Sequence, residues 1–161
     1  MYGKAFTVAE ANALIPQLEV VLGEITHRID EVRVNAERLQ ILDVLWGEKL
    51  LSPETPDHAE GEALRIAIAT WMGEIEELVE REIHGRGLRF PPGGLEHGLI
   101  DFPSTWQGRW VFLCWRRREP EIEAWHEVDG GFAGRREVTP EQVRSMGREG
   151  RSSGIDDARD A

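Results

Sequence analysis

The chain contains a single cysteine, Cys114, and only two lysines, Lys4 and Lys49, among its 161 residues. One cysteine cannot form an internal disulfide, which fits a reducing compartment and predicts a cytoplasmic location. Positive charge is scarce as well: 19 Lys and Arg residues stand against 30 Asp and Glu residues, giving a formal net charge of −11. Binding to phosphate backbones depends on clustered Lys and Arg, so no nucleic-acid partner is expected.

The sequence also lacks a long apolar run. The longest strongly apolar stretch, Trp110–Trp115, is far shorter than the roughly 20 residues that cross a bilayer, so no membrane partner is expected. Glu10 and Asn12 interrupt the apolar patch near the N-terminus, and no cleavage-site pattern follows it, so we do not expect this segment to be a signal peptide. A composition of 40% hydrophobic and 30% charged residues is that of an ordinary globular protein, long enough for one domain.

The first helix is predicted from a capping box and a repeating apolar pattern. Thr7 and Glu10 have the spacing in which the Thr hydroxyl accepts from the third helical amide and the Glu side chain reaches back. The apolar pattern that follows predicts an amphipathic helix with a coiled-coil-like seam, and Pro16 predicts a kink or a restart within it. The seam residues recur every three or four positions: Ala11, Leu14, Leu18, Val21, Ile25, Ile29, Val32, Ala36, Leu39 and Leu42.

A second helix is predicted after the break at Leu51–Pro56, with Asp57 as its N-cap. It carries apolar residues at helical spacing over Leu64–Ile83, and Gly85 or Gly87 is available soon afterwards as a left-handed cap. Two such helices should pack as an antiparallel pair. The apolar surface left over must then meet a sheet or a second copy of the chain, so a homodimer is the expected assembly.

After Gly87 the pattern changes to that of short strands. Short connections favour antiparallel neighbours, hence a meander of three or four strands. The strand at Arg109–Arg117 is apolar on both faces over Trp110–Trp115, so it should be central and covered on both sides. The four predicted strands are Leu88–Phe90, Leu99–Phe102, Arg109–Arg117 and Ile122–Val128.

These elements predict an α+β fold in a single domain over residues 1–138. A helical hairpin occupies residues 7–84, and a small antiparallel β-meander occupies residues 87–128. From residue 139 the chain is rich in Gly, Ser, Arg and Asp, so a flexible tail is expected over residues 139–161. Thr139 and Pro140 have the character of a helix start, which allows one short helix before order is expected to end beyond Met146.

Two Glu–His pairs on the helices invite a metal-site interpretation. Glu24 with His27, and Glu80 with His84, have spacings resembling those of metal sites in helix bundles. Helix phase argues against this, because at about 100° per residue these side chains are turned away from the apolar seam and face water. Exposed carboxylate–imidazole pairs are ordinary surface chemistry, so we do not expect a metal site on the helices.

The predicted meander brings a thiol and an imidazole together. If the turn after the central strand centres on Pro120, Cys114 lies opposite His126 and Trp115 lies opposite Trp125. If the turn has two residues, Cys114 faces Trp125 and the Cys–His pair becomes diagonal. Directly opposed residues have β-carbons about 5 Å apart, so the two side chains are near neighbours in either register.

This cluster allows a functional and a structural interpretation. A Cys beside a His can be a nucleophile, a transition-metal ligand or an axial haem ligand. Asp101, on the neighbouring strand, can orient the imidazole or serve as a third ligand. In the structural interpretation, Cys114 is a small buried hydrophobe, His126 satisfies a hydrogen bond, and Asp101 closes a turn.

Several motifs, in order, carry a family resemblance: Phe6–Pro16, Gly98–Pro103, Leu113–Trp115, Glu119–Glu121, Trp125–His126 and Gly131–Arg135. Together they resemble DUF2203, an uncharacterised prokaryotic family defined only as a domain of unknown function, over nearly all of the chain before the tail. The resemblance supplies no activity. This chain departs from it at Arg118, where the family commonly has Gly before Glu-Pro. The resemblance implies as signature positions Asp101, Cys114, Trp115, Glu119, Trp125, His126 and Arg135.

Two functional hypotheses from different classes follow. The first is a cytosolic interaction or regulatory module that self-associates as a homodimer through its helical hairpin. The second is a small metal-, haem- or ligand-binding protein, or an enzyme, with its site on the sheet at Asp101, Cys114 and His126. A transition metal or haem would be its cofactor. Its candidate ligand-binding residues are Trp115, Trp125, Glu119 and Arg135.

Overall fold

The computed structural model describes residues 3–148, which contain a long helix, a second helix and a four-stranded antiparallel sheet. The helices are α1 (Val8–Trp46), α2 (His58–Leu78), the single-turn α3 (Gly94–His97) and α4 (Pro140–Ser145). The strands are β1 (Leu99–Trp106), β2 (Arg109–Arg116), β3 (Ala124–Glu127) and β4 (Arg136–Glu137). The predicted α+β fold, with a hairpin followed by a meander, is confirmed.

Contacts divide the chain into two compact units. The sheet unit comprises Met1–Leu22 and Arg81–Ala161, within the described residues, and the hairpin unit comprises Gly23–Glu80. Helix α1 contributes its first turns to the sheet unit and the remainder to the hairpin unit. Within residues 3–148, neither long helix carries an apolar stretch that could cross a bilayer.

Helix α1 begins with the predicted capping box. The backbone amide of Glu10 donates to Thr7 Oγ1 at 3.1 Å, and the Thr7 amide donates to Glu10 Oε1, also at 3.1 Å. The helix then continues through Pro16 to Trp46, so the restart considered at Pro16 does not occur. In the interior of a helix proline removes one amide donor, and the 39-residue helix accommodates this loss.

The hairpin unit closes through polar contacts between its two helices. Arg38 and Glu60 form an ion pair with an N···O distance of 2.6 Å near the turn, and Arg28 and Glu74 approach to 3.6 Å further along. A 3₁₀ turn over Gly47–Leu51 follows α1. In the second ion pair both residues lie farther from this turn than in the first, which shows that the two helices run antiparallel, as predicted.

Asp57 occupies the N-cap position of α2, but its side chain does not cap the helix. Its Oδ2 instead accepts a hydrogen bond from Trp46 Nε1 at 2.8 Å, which ties the end of α1 to the start of α2. At the other end, Gly87 has φ +80° and terminates the 3₁₀ turn His84–Arg86, as expected of a left-handed glycine cap. Between α2 and this turn the chain forms one π-helical segment, Val79–Ile83.

The sheet is a meander in the order β1-β2-β3-β4. The strand predicted at Leu88–Phe90 is wrong: this segment makes a single antiparallel bridge, between Arg89 and Asp101. The fourth strand is instead the two-residue β4, which pairs with β3 after a loop. Its exposed Arg-Glu sequence carries no apolar alternation, so no strand pattern was visible there.

Strand β2 lies between β1 and β3 and is buried over Val111–Trp115, which confirms the prediction of a central strand covered on both faces. The N-terminal segment packs on β1. The Phe6 amide donates to Pro103 O at 2.7 Å, Ser104 Oγ donates to Phe6 O at 2.7 Å, and the Phe6 and Phe102 rings meet edge to face at 5.6 Å. Asn12 Oδ1 accepts from the Ile122 amide at 2.6 Å, which anchors the loop before β3 to α1.

The flexible tail predicted from residue 139 is corrected over its first ten residues. Thr139 and Gln142 form a capping box that starts α4, and Met146 is fully buried. The Gly147 amide donates to Thr105 O at 3.0 Å, and a β-carbon at Gly147 would lie 2.2 Å from Phe6 O. Residues 139–148 therefore belong to the sheet unit, and the rest of the predicted tail lies outside the described residues.

Truncation tests this boundary. A chain ending at Arg148 is expected to keep its melting temperature, because the segment removed has almost no apolar residue. A chain ending at Ser145 loses the buried Met146 side chain and the Gly147 hydrogen bond. Its melting temperature, measured by circular dichroism, is expected to fall by on the order of 5 °C or more. Equal melting temperatures for the two truncations would contradict the packing role of Met146.

Substitution of Arg118 tests whether the backbone of the loop after β2 is strained. The Arg118 φ of +82° lies in the left-handed region, which favours Gly over residues with a β-carbon. Arg118→Gly is expected to stabilise the fold by roughly 0.5–1 kcal/mol, because relief of backbone strain exceeds the added chain entropy. Arg118→Ala is the matched control, since it removes the side chain and keeps the β-carbon. Equal free energies of unfolding for the two variants would show that backbone strain does not set this position.

Candidate functional site

The sheet places Asp101, Cys114 and His126 on one face. Asp101 pairs directly with Cys114, Cys114 pairs with Ala124, and Phe112 pairs with His126. Both predicted registers are therefore wrong, including the opposition of Trp115 and Trp125. The observed pairing is displaced by two residues from the first register. Because side chains alternate between faces, this displacement keeps the thiol and imidazole on the same face, in a diagonal relation.

Asp101 and His126 meet across the central strand. They belong to β1 and β3, whose backbones are about 10 Å apart because adjacent strands are spaced by about 4.8 Å. Their side chains lean over β2, and His126 Nε2 lies 2.9 Å from Asp101 Oδ1. Both residues and Cys114 are fully buried, and one potential ligand atom from each lies within 4.8 Å of the others.

Both ring nitrogens of His126 point at acceptors. Nε2 faces the Asp101 carboxylate, and Nδ1 lies 2.6 Å from the Glu127 carbonyl oxygen. A carbonyl oxygen cannot donate, so each nitrogen satisfies its neighbour best when it carries a proton. Burial alone lowers the pKa of His126, but hydrogen bonds to Asp101, Cys114 and Glu127 outweigh it and raise the pKa to about 10. His126 is thus an imidazolium at neutral pH, paired with the Asp101 carboxylate.

Arg89 completes this buried network, and we did not identify it from the sequence. Its Nε lies 3.2 Å from Asp101 Oδ2, so the two carboxylate oxygens serve two different cations. The guanidinium covers the Phe112 ring at 3.7 Å from its centroid, and the centroid of the His126 ring lies 5.6 Å from that of Phe112. Arg89 stands between two apolar residues in sequence, which is the pattern of an ordinary outward-facing strand residue.

A second network holds the loop that follows β2. Arg135 Nη2 donates to the Cys114 carbonyl oxygen at 3.1 Å and forms an ion pair with Glu119. Glu119 Oε1 also accepts from the Arg116 amide at 2.6 Å, while the Glu119 carbonyl accepts from Trp115 Nε1 at 2.9 Å. Three predicted ligand-binding candidates therefore contact one another or the backbone of β2 and its following loop. They are Glu119, Arg135 and Trp115.

The two tryptophan candidates lie away from the cluster. Trp115 and Trp125 are buried on the opposite face of the sheet, because both alternate with the residues of the Asp101–Cys114–His126 cluster. The guanidinium of Arg136 lies over the Trp125 ring, 5.2 Å from the ring centroid. The structure thus brings together three of the seven candidate residues at the cluster and assigns the other four to neighbouring contacts.

A cavity of about 200 Å³ lies beside the cluster face. It is lined by Pro92, His97, Leu99, Arg116 and Phe132. Leu99 and Arg116 pair directly, one same-face row beyond the Asp101–Cys114 pair. The Glu–His pairs of the helices have exposed side chains, as predicted from helix phase, and His27 packs edge to face against Trp71 at 5.9 Å.

The charged state of His126 predicts how stability changes with pH. Its pKa is about 10 in the folded chain and 6.5 when unperturbed, so between these values the folded state binds more protons than the unfolded state. The contribution of His126 is complete below pH 6.5 and is lost as the pH rises toward 10. The free energy of unfolding, measured with urea in chelator-containing buffer, should fall across this window by on the order of a few kcal/mol.

Asp101→Asn is the matched variant for this pH series. The amide has nearly the same shape but cannot provide a negative charge for the imidazolium, so most of the decline between pH 6.5 and 10 should disappear. Glu127→Gln is the control, since His126 contacts only the backbone carbonyl of that residue. An equally steep decline in Asp101→Asn would assign the pH dependence to other groups.

Comparisons with known proteins place the chain in a family without assigning an activity. A family model described as an uncharacterised conserved protein, DUF2203, matches residues 4–138. No curated protein and no solved structure matches the chain significantly. The matched region includes the cluster, the Glu119–Arg135 network and both long helices.

Proposed function

The chain belongs to DUF2203, a family of uncharacterised conserved proteins, and we propose that it is an interaction module that self-associates through its helical hairpin. One observation carries this proposal: large apolar side chains on both helices of the hairpin unit stay largely exposed. Val44 is 82% exposed, and the others are at least half exposed. They are Val34, Ile41, Val44 and Leu45 on α1, and Ile66 and Met72 on α2.

The exposed residues of α1 form a stripe. Val34, Ile41 and Leu45 are separated by seven and four positions, so at about 100° per residue they lie within roughly 40° of one another. Leu42, which is fully buried, lies about 60–100° away from them around the same helix. Together with Glu37 and Gln40, part of this stripe lines a groove of about 300 Å³. An amphipathic helix normally buries one stripe, and α1 carries a second.

Helix α2 offers a complementary surface. Exposed residues at spacings of four, three, four and three form a narrow stripe in which four of the five side chains are small: Ala59, Ala63, Ile66, Thr70 and Gly73. Nothing lies within 4 Å of a β-carbon built at Gly73, so this part of the surface is open. Small residues permit close approach of a second helix, whose larger side chains can fill the space above them.

A second copy of the chain fits both stripes at once. In a two-fold dimer, the large side chains of α1 from each copy pack on the small stripe of α2 from the other, which makes the interface self-complementary. The product is a four-helix bundle, in which antiparallel helices share one apolar core. A partner protein with a single helix would cover only one of the two stripes. Location in the cytosol and a regulatory role remain predictions from sequence.

Charge substitution in the α1 stripe tests the proposal. At micromolar concentration, light scattering is expected to give twice the 18.3 kDa mass of one chain. The double variant Ile41→Glu and Leu45→Glu should reduce this to one chain mass, because four carboxylates would be buried in the dimer. Val143→Glu is the matched control, since Val143 is 45% exposed on α4, outside the hairpin. A monomeric wild-type chain, or a dimeric double variant, would overturn the proposal.

A further inference from the structure

We propose that Asp101, Cys114 and His126 bind a divalent transition-metal ion, with Zn²⁺ as the best match. The three side chains offer an oxygen, a sulfur and a nitrogen ligand, and these atoms lie within 4.8 Å of one another. Zn²⁺ binds such ligands at about 2.0–2.3 Å, so small side-chain movements suffice to reach bonding distance, including a slight separation of Asp101 Oδ1 and His126 Nε2 from their present 2.9 Å. This site is independent of the hairpin, because all three residues lie in the sheet unit.

The surroundings of the cluster already resemble those of metal ligands. A metal-binding His usually donates its second ring N–H to a carbonyl or carboxylate, which fixes the ring and selects the ligating nitrogen. Here the Glu127 carbonyl accepts from Nδ1 at 2.6 Å, which leaves Nε2 directed at the cluster. Arg89 holds Asp101 Oδ2 in the same way, which leaves Oδ1 for the ion.

The charges of the cluster also suit an ion of charge +2. On binding, the His126 Nε2 proton that now points at Asp101 leaves, and the Cys114 sulfur binds as thiolate. One carboxylate, one thiolate and one Zn²⁺ sum to zero, so the buried ligand set is neutral, and the Arg89 guanidinium on Asp101 Oδ2 keeps partial contact with solvent. The ion thereby replaces protons between side chains that are already held in contact.

The ligand types select the class of metal. Thiolate and imidazole favour Zn²⁺ and its neighbours, whereas Mg²⁺ and Ca²⁺ prefer sites built from oxygen alone. Haem ligation needs a slot for the macrocycle beside the axial ligand, and these side chains are enclosed by protein. With three protein ligands, the fourth coordination position is left to water or a small molecule, the pattern of zinc sites with an open position.

Cobalt provides a spectroscopic test on the full-length protein. After removal of bound metals with a chelator, titration with Co²⁺ should produce a thiolate-to-cobalt absorption band in the near ultraviolet, saturating at one ion per chain. Zn²⁺ added afterwards should abolish the band, and binding in weakly buffered solution should release protons. Absence of the band in the folded wild-type chain would overturn the proposal.

Variants locate the ion. Cys114→Ser should abolish the near-ultraviolet band while keeping the volume of the side chain. Arg89→Lys changes the side chain that donates to Oδ2 of the ligand Asp101, and it should weaken Co²⁺ binding by roughly 10–100-fold. His97→Ala, at an exposed histidine beside the neighbouring cavity, should leave band and affinity unchanged. Circular dichroism verifies folding of each variant, and a band that persists in folded Cys114→Ser would overturn the assignment of the site.

Discussion

The contact between Asp101 and His126 constrains the sheet across its central strand. The two residues belong to strands that are not neighbours, so their 2.9 Å contact fixes the distance and tilt of β1 and β3 around β2. Both are fully buried, and removal of the Asp101 carboxylate leaves the His126 imidazolium without its charged partner in the interior. Such losses commonly cost about 3–5 kcal/mol, comparable to a large part of the stability of a small domain. Arg89 and Phe112 then take positions set by this pair.

Local signals in the sequence were sufficient for the helices and the central strand. The Thr7–Glu10 capping box, the Gly87 cap and the apolar run in β2 each depend on neighbouring residues alone. The cluster was also identifiable, because a displacement of the register by two residues preserves the face of each side chain. Its detailed pairing was not, since the loop after β2 depends on a left-handed Arg118 that no residue preference indicates. Arg89 and β4 were not predicted, because Arg89 has the pattern of an outward-facing strand residue and the exposed Arg-Glu sequence of β4 has no apolar alternation.

Six of the seven signature positions that the resemblance implies fall into two structural groups. Asp101, Cys114 and His126 converge on one face of the sheet, and Trp115, Glu119 and Arg135 fix the loop that joins β2 to β3. The geometry of the second group accounts for its arginine, because the Arg135 guanidinium reaches both the Cys114 carbonyl oxygen and the Glu119 carboxylate. The first group is different, because an apolar core could hold these strands together without a buried thiol, carboxylate and imidazole.

The two units therefore differ in which side chains they bury and which they expose. In the sheet unit, polar side chains that are costly to bury are held in full burial by one another, so their chemistry is already organised. In the hairpin unit, apolar side chains such as Val44 and Leu45 that favour burial remain exposed, so their packing is incomplete. In the proposals made above, a second chain would cover the exposed apolar surface of the hairpin, and an ion of charge +2 would bind the buried polar groups of the cluster. The exposed apolar residues of the hairpin and the residues of the cluster do not overlap. Self-association would therefore not require a metal ion in the cluster.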